Sequence, residues 1–331
     1  MPTLYTEVKV PKSQTVISYQ SRLMFVGSCF ADNIGSMFAN AKFNSLANPF
    51  GTLYNPLSIN ILFDYLTSDK TISAEDFFQN NGKYSSYLMH GDFDNTDLNL
   101  AVSRATESIQ SAKQFLKTAD IVFITLGTAF VYYLNETGKP VANCHKQNPK
   151  LFTRQLLTVE QSTDTLRQIC QTITDFNPKI KIVLTVSPIR HIADGATQNT
   201  LSKSTLLLST DAIVKAFNNV EYFPSYEIMI DELRDYRFYE SNLTHPSSTA
   251  REIIFERLLQ SFCNQQTINA VSQVSNFMKS VNHKIISPDL PEIVTFAKNQ
   301  INKAMQLEAQ NLGLNLEKEK QYFNNIINQN K

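Results

Sequence analysis

Leu23 to Val26 is an unbroken apolar run that stops at Gly27, and the positions after it, Phe30, Ile34, Met37, Phe38 and Ala41, recur three and four apart. That pattern predicts a buried strand, a tight turn and a helix with one apolar face. The unit then repeats. Val102, Ala105, Ile109, Ala112 and Leu116 predict a helix leading into a second run, Ile121 to Leu126, closed by Gly127. Thr158 with Gln161 reads as a capping box, opening a helix with Leu166, Ile169 and Ile173 on one face that ends before Pro178. Ile180 to Val186 predicts another strand. A helix over about 202–217, a short strand from Val220 to Phe223 and a helix bearing Ala250, Ile253, Ile254, Leu258 and Phe262 complete the alternation.

Near-continuous apolar strands joined by helical crossovers imply a mostly parallel sheet covered on both faces, a doubly wound three-layer α/β/α sandwich. Ligands in such folds bind beyond the carboxyl ends of the strands. Ser28 and Cys29, Thr128, the stretch from Ser187 to His191, and His245 all fall at such ends. From residue 265 the character changes: Asn, Gln and Lys rise, and the apolar pattern thins to Ile293, Phe296, Ile301, Met305 and Leu307. The expected organisation is one α/β domain over 1–264 and a helical C-terminal extension over 265–331, whose helices offer a surface for homo-oligomers. There is no internal repeat and no Pro- or Gly-rich linker.

The 331 residues carry 30 Lys plus Arg against 30 Asp plus Glu, so no net charge attracts nucleic acid or anionic lipid. Hydrophobic residues at 42% exclude intrinsic disorder. The opening MPTLYTEVKVPKSQ lacks the pattern of a secretory signal, and no apolar stretch reaches the roughly 20 residues of a bilayer span, so no membrane insertion is expected. Cys29, Cys144, Cys170 and Cys263 are far apart with no CxxC pair. Free thiols in a cytoplasmic setting follow.

Cys29 stands at the turn between the first strand and its helix, where amides point at whatever lies above the strand end. The helix dipole there is expected to lower the thiol pKa, which makes Cys29 a candidate nucleophile; the alternative is an inert buried thiol. In Asn242-Leu243-Thr244-His245, an amide and an imidazole three residues apart precede a helix. His245 is the candidate base, and the Asn242 side-chain oxygen is expected to accept its ring N–H. A rival metal site would draw on His90, His145, His191 and His245 with Cys29 or Cys144. No HxH, HxxxH or HxxE spacing supports it, so neither metal nor cofactor is assigned.

Several strings carry a family resemblance: Gly27-Ser28-Cys29-Phe30-Ala31, Asn48-Pro49-Phe50-Gly51-Thr52, Leu126-Gly127-Thr128-Ala129, Val141-Ala142-Asn143-Cys144-His145-Lys146, Ser187-Pro188-Ile189-Arg190-His191 and His245-Pro246. The chain resembles the GSCFA-domain proteins over roughly residues 20–260. That family is similar to the SGNH, or GDSL-type, hydrolases, which have a flavodoxin-like three-layer α/β/α fold and mostly cleave or transfer acyl groups on oxygen. The resemblance lays the hydrolase serine on Cys29, with Ser28 where an aspartate would be, and the late Asp-x-x-His block on Asn242 and His245. A Cys-His-Asn set results, with Ser28 kept as a second candidate nucleophile. The oxyanion donors it implies are the Cys29 amide, the Gly51 amide and either Thr128 or Asn143, and His145 and His191 become substrate-pocket residues. The implied activity is hydrolysis of an O-acylated small molecule or carbohydrate through a Cys29 thioester. Acyl transfer at the same site, or a silent domain that binds a carbohydrate or acylated ligand, are the alternatives.

Overall fold

The apolar runs become the middle of a five-stranded sheet because side chains alternate across a strand and both faces here are covered. The computed structural model describes residues 6–282 and 291–329; residues 1–5, 283–290 and 330–331, which belong to the two segments expected from the sequence, lie outside the described residues. The chain divides into two compact units, one of residues 1–11, 22–36 and 45–257, the other of 12–21, 37–44 and 258–331.

In chain order the elements are β1 (Arg22–Gly27), α1 (Cys29–Asn40), β2 (Asn44–Ala47), α2 (Pro56–Thr67), β3 (Phe78–Asn80), β4 (Lys83–Ser85), α3 (Leu98–Lys117), β5 (Ile121–Leu126), β6 (Phe130–Leu134), β7 (Pro140–Val141), β8 (Phe152–Leu156), α4 (Val159–Phe176), β9 (Lys181–Val186), α5 (Ala196–Ala216), β10 (Val220–Tyr222), α6 (Ser248–Phe262), α7 (Gln265–Val281), α8 (Pro291–Gln310) and α9 (Glu317–Gln329).

In the first unit the main sheet has the order β10-β9-β5-β1-β2, with β1 to β5, β5 to β9 and β9 to β10 parallel. Met24, Val26, Val122, Ile124, Ile182 and Leu184 point to one face and join Ile59, Leu62 and Phe63 of α2, Ile109 of α3, Ile169 of α4 and Leu206 of α5 in a single core. The alternate residues Phe25 and Phe123 stack on the opposite face with centroids 4.8 Å apart, under α1, where a Cβ on Gly35 would come within 3.3 Å of the Phe25 ring. The three-layer expectation holds, and the Thr158–Gln161 capping box forms as read.

Several elements escaped the periodic reading, the edge strand β2 among them. Helix α2 buries Ile59, Leu62, Phe63 and Leu66 on one face, but Leu57, Ile61 and Tyr65 on its other side blur that stripe in the sequence, although Asn55 capping the Ser58 N–H and Pro56 at the first turn mark its start. The hairpin β3–β4 turns at Asn81-Gly82, both with positive φ, as a tight hairpin turn requires. An antiparallel sheet, β7-β6-β8, follows Thr128, in a stretch where no strand is read from the sequence.

The second unit has its own core. Tyr19 stacks on Phe43 at 4.5 Å, and Phe323 of α9 meets Phe277 of α7 and Phe296 of α8 at 6.3 and 6.0 Å. The buried stripe of α8 runs through Ala297, Ala304 and Leu307, while Phe296 and Met305, expected within it, are 37% and 56% exposed. Small alanines allow close helix approach and were invisible to a search for large apolar side chains. Among the described residues no helix is long and apolar enough to cross a membrane.

Candidate functional site

Cys29 opens α1 directly above the end of β1, and the approach of the chain to that point needs Gly27. Its φ is +134°, and a Cβ there would lie 2.1 Å from the Thr125 carbonyl oxygen of the neighbouring strand. Asn48 clamps this turn: its Oδ1 accepts from the Gly27 N–H at 2.8 Å, and its Nδ2 donates to Asp32 Oδ1 at 2.7 Å. Ser28 is buried, its Oγ accepting from the Phe30 N–H at 3.3 Å as a cap for α1, so Cys29 is the member of the pair that lines the cavity.

The expected low thiol pKa is not what the surroundings produce. Burial pushes the Cys29 thiol above its ordinary value and Asp32 adds to the rise; the Cys29 and Phe30 amides and the Lys203 ammonium offset only part of it. Cys144, Cys170 and Cys263 are pushed up by burial to about 11, 12 and 12.

His245 Nε2 lies 4.0 Å from Cys29 Sγ. Behind the ring, the Asn242 oxygen does not accept from Nδ1 as the sequence suggested. It accepts from the Thr244 N–H at 2.9 Å, the His245 N–H at 3.0 Å and the Thr244 hydroxyl at 3.0 Å. Backbone N–H groups can only donate, so these contacts fix which amide atom is oxygen and leave Nδ2 facing Nδ1 at 2.9 Å. An NH₂ donor on Nδ1 puts the imidazole proton on Nε2, toward the sulfur. The other tautomer has one acceptor, the Thr244 hydroxyl oxygen, 3.1 Å from Nδ1. Thr244 was within the very string that drew attention to Asn242 and His245, yet its part depends on a loop fold that spacing does not specify.

Cys29, Thr128, Asn143, His191 and His245 line one cavity of about 790 Å³. The Thr128 amide donates to the Tyr54 carbonyl at 2.9 Å, and its hydroxyl lies 3.0 Å from Ser202 Oγ while accepting from the Phe130 N–H at 3.1 Å. Asn143 uses its Oδ1 for the His145 N–H at 2.8 Å. The His191 imidazole is brought down to about 4, first by burial and next by Lys203, so it is neutral near pH 7. Two expected residues are elsewhere. The Gly51 amide donates to Asn48 O at 2.8 Å and cannot serve an oxyanion; its glycine is needed because φ is +73° and a Cβ would lie 2.2 Å from that of His90. His145 is buried outside the cavity with Nε2 2.8 Å from Ser86 O and Nδ1 3.4 Å from Asp94 Oδ1, which makes it structural.

Further residues support the site or reach its cavity, Tyr54 and Arg154 among them without any signal read from the sequence. Lys203 is fully buried behind the strand ends, where its ammonium donates to Gly127 O and Ser187 O, both at 2.7 Å, tying the ends of β5 and β9 together. Burial lowers its pKa to about 7, Cys29 acting against the fall and Arg190 with it. In the sequence Lys203 is the sole charged residue between Asp194 and Asp211. His90 and Tyr54 also reach the cavity, as does Arg154, held by Asp194 through two bonds of 2.8 and 2.6 Å and lying 3.8 Å over the Phe130 ring. Among the described residues no three His, Cys, Asp or Glu side chains group as a metal site would require.

No curated protein sequence matches the chain. Among solved structures it is similar to a carbohydrate esterase family 3 protein from Talaromyces cellulolyticus, at 8% identity and TM-score 0.38, covering 76% of this chain and 98% of that one. It is also similar to an acetyl xylan esterase from the rumen bacterium Butyrivibrio proteoclasticus, at 11% identity and TM-score 0.37, covering 75% of this chain and 64% of that one. Likenesses this weak leave the chemistry to the residues themselves. The family model is far more specific: it matches residues 22–258, which include β1, the Gly27-Ser28-Cys29-Phe30-Ala31 turn, the sheet and His245, and the chain therefore belongs to the GSCFA family.

Proposed function

We propose that this chain is a hydrolase of O-acyl esters on a small molecule or carbohydrate, working through a thioester on Cys29. The observation that carries the reading is the 4.0 Å approach of Cys29 Sγ to His245 Nε2 in a cavity at the carboxyl ends of β1, β5 and β9. The sulfur attacks the ester carbonyl carbon, the S–C bond forms, and the C–O bond to the alcohol breaks. The thiol proton goes to His245 Nε2 and from there to the departing alkoxide. For that passage the ring must adopt its other tautomer, in which Nδ1–H donates a hydrogen bond to the Thr244 hydroxyl oxygen, the Thr244 O–H still donates to Asn242 Oδ1, and the Asn242 NH₂ moves off Nδ1. Water then cleaves the thioester, releasing the acid and restoring the thiol. An alcohol or amine in place of water would make the same site a transferase. The backbone amide of Cys29 and the NH₂ of Asn143 are the donors for the oxyanion.

A second reading, a catalytically silent domain that binds an acylated ligand, is favoured by one observation: the resting tautomer has no lone pair facing Cys29. Brief exposure to p-nitrophenyl acetate followed by peptide mass mapping tests the two. Acetyl on Cys29, with turnover that falls to background in Cys29→Ala, supports the hydrolase. Absence of acetylation at Cys29 refutes it in favour of the binding domain.

A further inference from the structure

Beside the cavity that holds Cys29 lies a second one of about 570 Å³, and the two share Arg190, Ile192 and Thr244 in their walls. The charges around this junction do not balance. Arg154 faces Asp194, Arg237 faces Asp235, and Arg251 faces Glu240. Arg190 and Arg234, which both line the second cavity, have no carboxylate partner among the described residues. The Arg190 side chain bonds to the Tyr239 hydroxyl, and its buried Nε has no hydrogen-bond partner. Behind it, the Lys203 amine donates to two carbonyl groups and has no carboxylate partner among the described residues.

Desolvating a guanidinium without a partner is unfavourable, so a partly buried, unpaired Arg190 is a feature that a ligand completes. Its planar fork matches an oxyanion, either carboxylate or phosphate. The other walls suit an organic molecule. Tyr236 is 77% exposed, and Leu243, at φ +57°, is 53% exposed, so both present apolar surface to solvent at the cavity. Asn242 and Thr244 separate this surface from the His245 ring that they hold.

We infer that the second cavity binds an oxyanion carried by the same molecule whose ester reaches Cys29, so that the substrate is an acylated anionic compound rather than a neutral one. This inference rests on the reading of Cys29 as acyl carrier, but the cavity itself can be tested without it. The experiment is saturation-transfer NMR of the full chain with benzoate, phenyl phosphate and the neutral isostere benzamide, in wild type, Arg190→Gln and Arg234→Gln. Benzoate or phenyl phosphate should give a signal that benzamide does not, that weakens with added salt, and that falls about tenfold in each variant, the scale of a lost charge-assisted bond. Whichever anion gives the stronger signal identifies the carboxylate or the phosphate as the group held. Arg234 is exposed, so its variant retains the fold if Arg190→Gln does not. Equal signals from benzoate, phenyl phosphate and benzamide, or anion signals unchanged in Arg234→Gln, would overturn the inference. Arginine-dependent anion binding together with a Cys29 that never acetylates would leave the anion site standing and remove the thioester reading instead.

Discussion

Replacing Asn242 with aspartate changes one atom and reverses the sense of the hydrogen bond behind His245. The retained oxygen keeps the Thr244 and His245 N–H groups at 2.9 and 3.0 Å, while the second carboxylate oxygen takes the place of Nδ2, 2.9 Å from Nδ1. Nδ1 must then carry the proton, and Nε2 turns its lone pair toward Cys29 Sγ. A unit charge about 4 Å from the centre of the imidazolium charge favours it by about 1 kcal/mol in water and about 4 kcal/mol at an effective dielectric of 20. Asn242 is exposed, so the lower half of that span applies, about 1 to 2 kcal/mol, or roughly 1 pH unit. In the wild type, burial and Asp32 hold the thiol above its ordinary value and no base faces it, so alkylation of Cys29 should rise only on the alkaline side. In Asn242→Asp the thiolate and imidazolium form as a pair, and the rate at pH 7 should increase about tenfold. The assay is iodoacetamide labelling from pH 5 to 10 with peptide mapping, which separates Cys29 from Cys144 in the same cavity. A wild-type plateau at neutral pH, equal to that of the variant, would refute the tautomer argument and show that Thr244 already takes the Nδ1 proton.

The remaining predictions concern the groups around this pair. Lys203 has a folded pKa of about 7 against an ordinary 10.5, so the unfolded chain binds more protons between these values and stability rises with pH across that window. The difference corresponds to roughly 4 to 5 kcal/mol, and urea denaturation at pH 7 and 10 should show a gain in wild type that Lys203→Met lacks; equal gains in both would refute the assignment. Gly51→Ala should lower stability by about 3 kcal/mol or more in thermal unfolding, since φ is +73° and the new Cβ meets His90. His145→Ala should lower stability by about 1 to 3 kcal/mol through the unpaired Ser86 carbonyl and Asp94, yet leave the Cys29 labelling rate unaltered; a changed labelling rate would return His145 to the substrate cavity.

The local order of strands and helices was legible in the sequence, because burial on both faces of a parallel sheet demands unbroken apolar runs and the crossover helices demand one apolar face. The pairing of Cys29 with His245 was legible too, since both stand at strand ends that such a fold brings together. Helix α2 and the β6–β8 sheet were not, for their side chains are buried or exposed by neighbours distant in sequence. Within the site, the residue types were readable and the senses of their interactions were not. Which way the Asn242 amide points is decided by the two backbone N–H groups that the loop folds beneath its oxygen. The Gly51 amide and the His145 ring are engaged by Asn48, Ser86 and Asp94, partners that come from other loops. The Cys29 thiol is raised rather than lowered because desolvation and Asp32 together outweigh the helix-end amides and Lys203. Such quantities are sums over surrounding atoms, and only the tertiary structure supplies those distances and that burial.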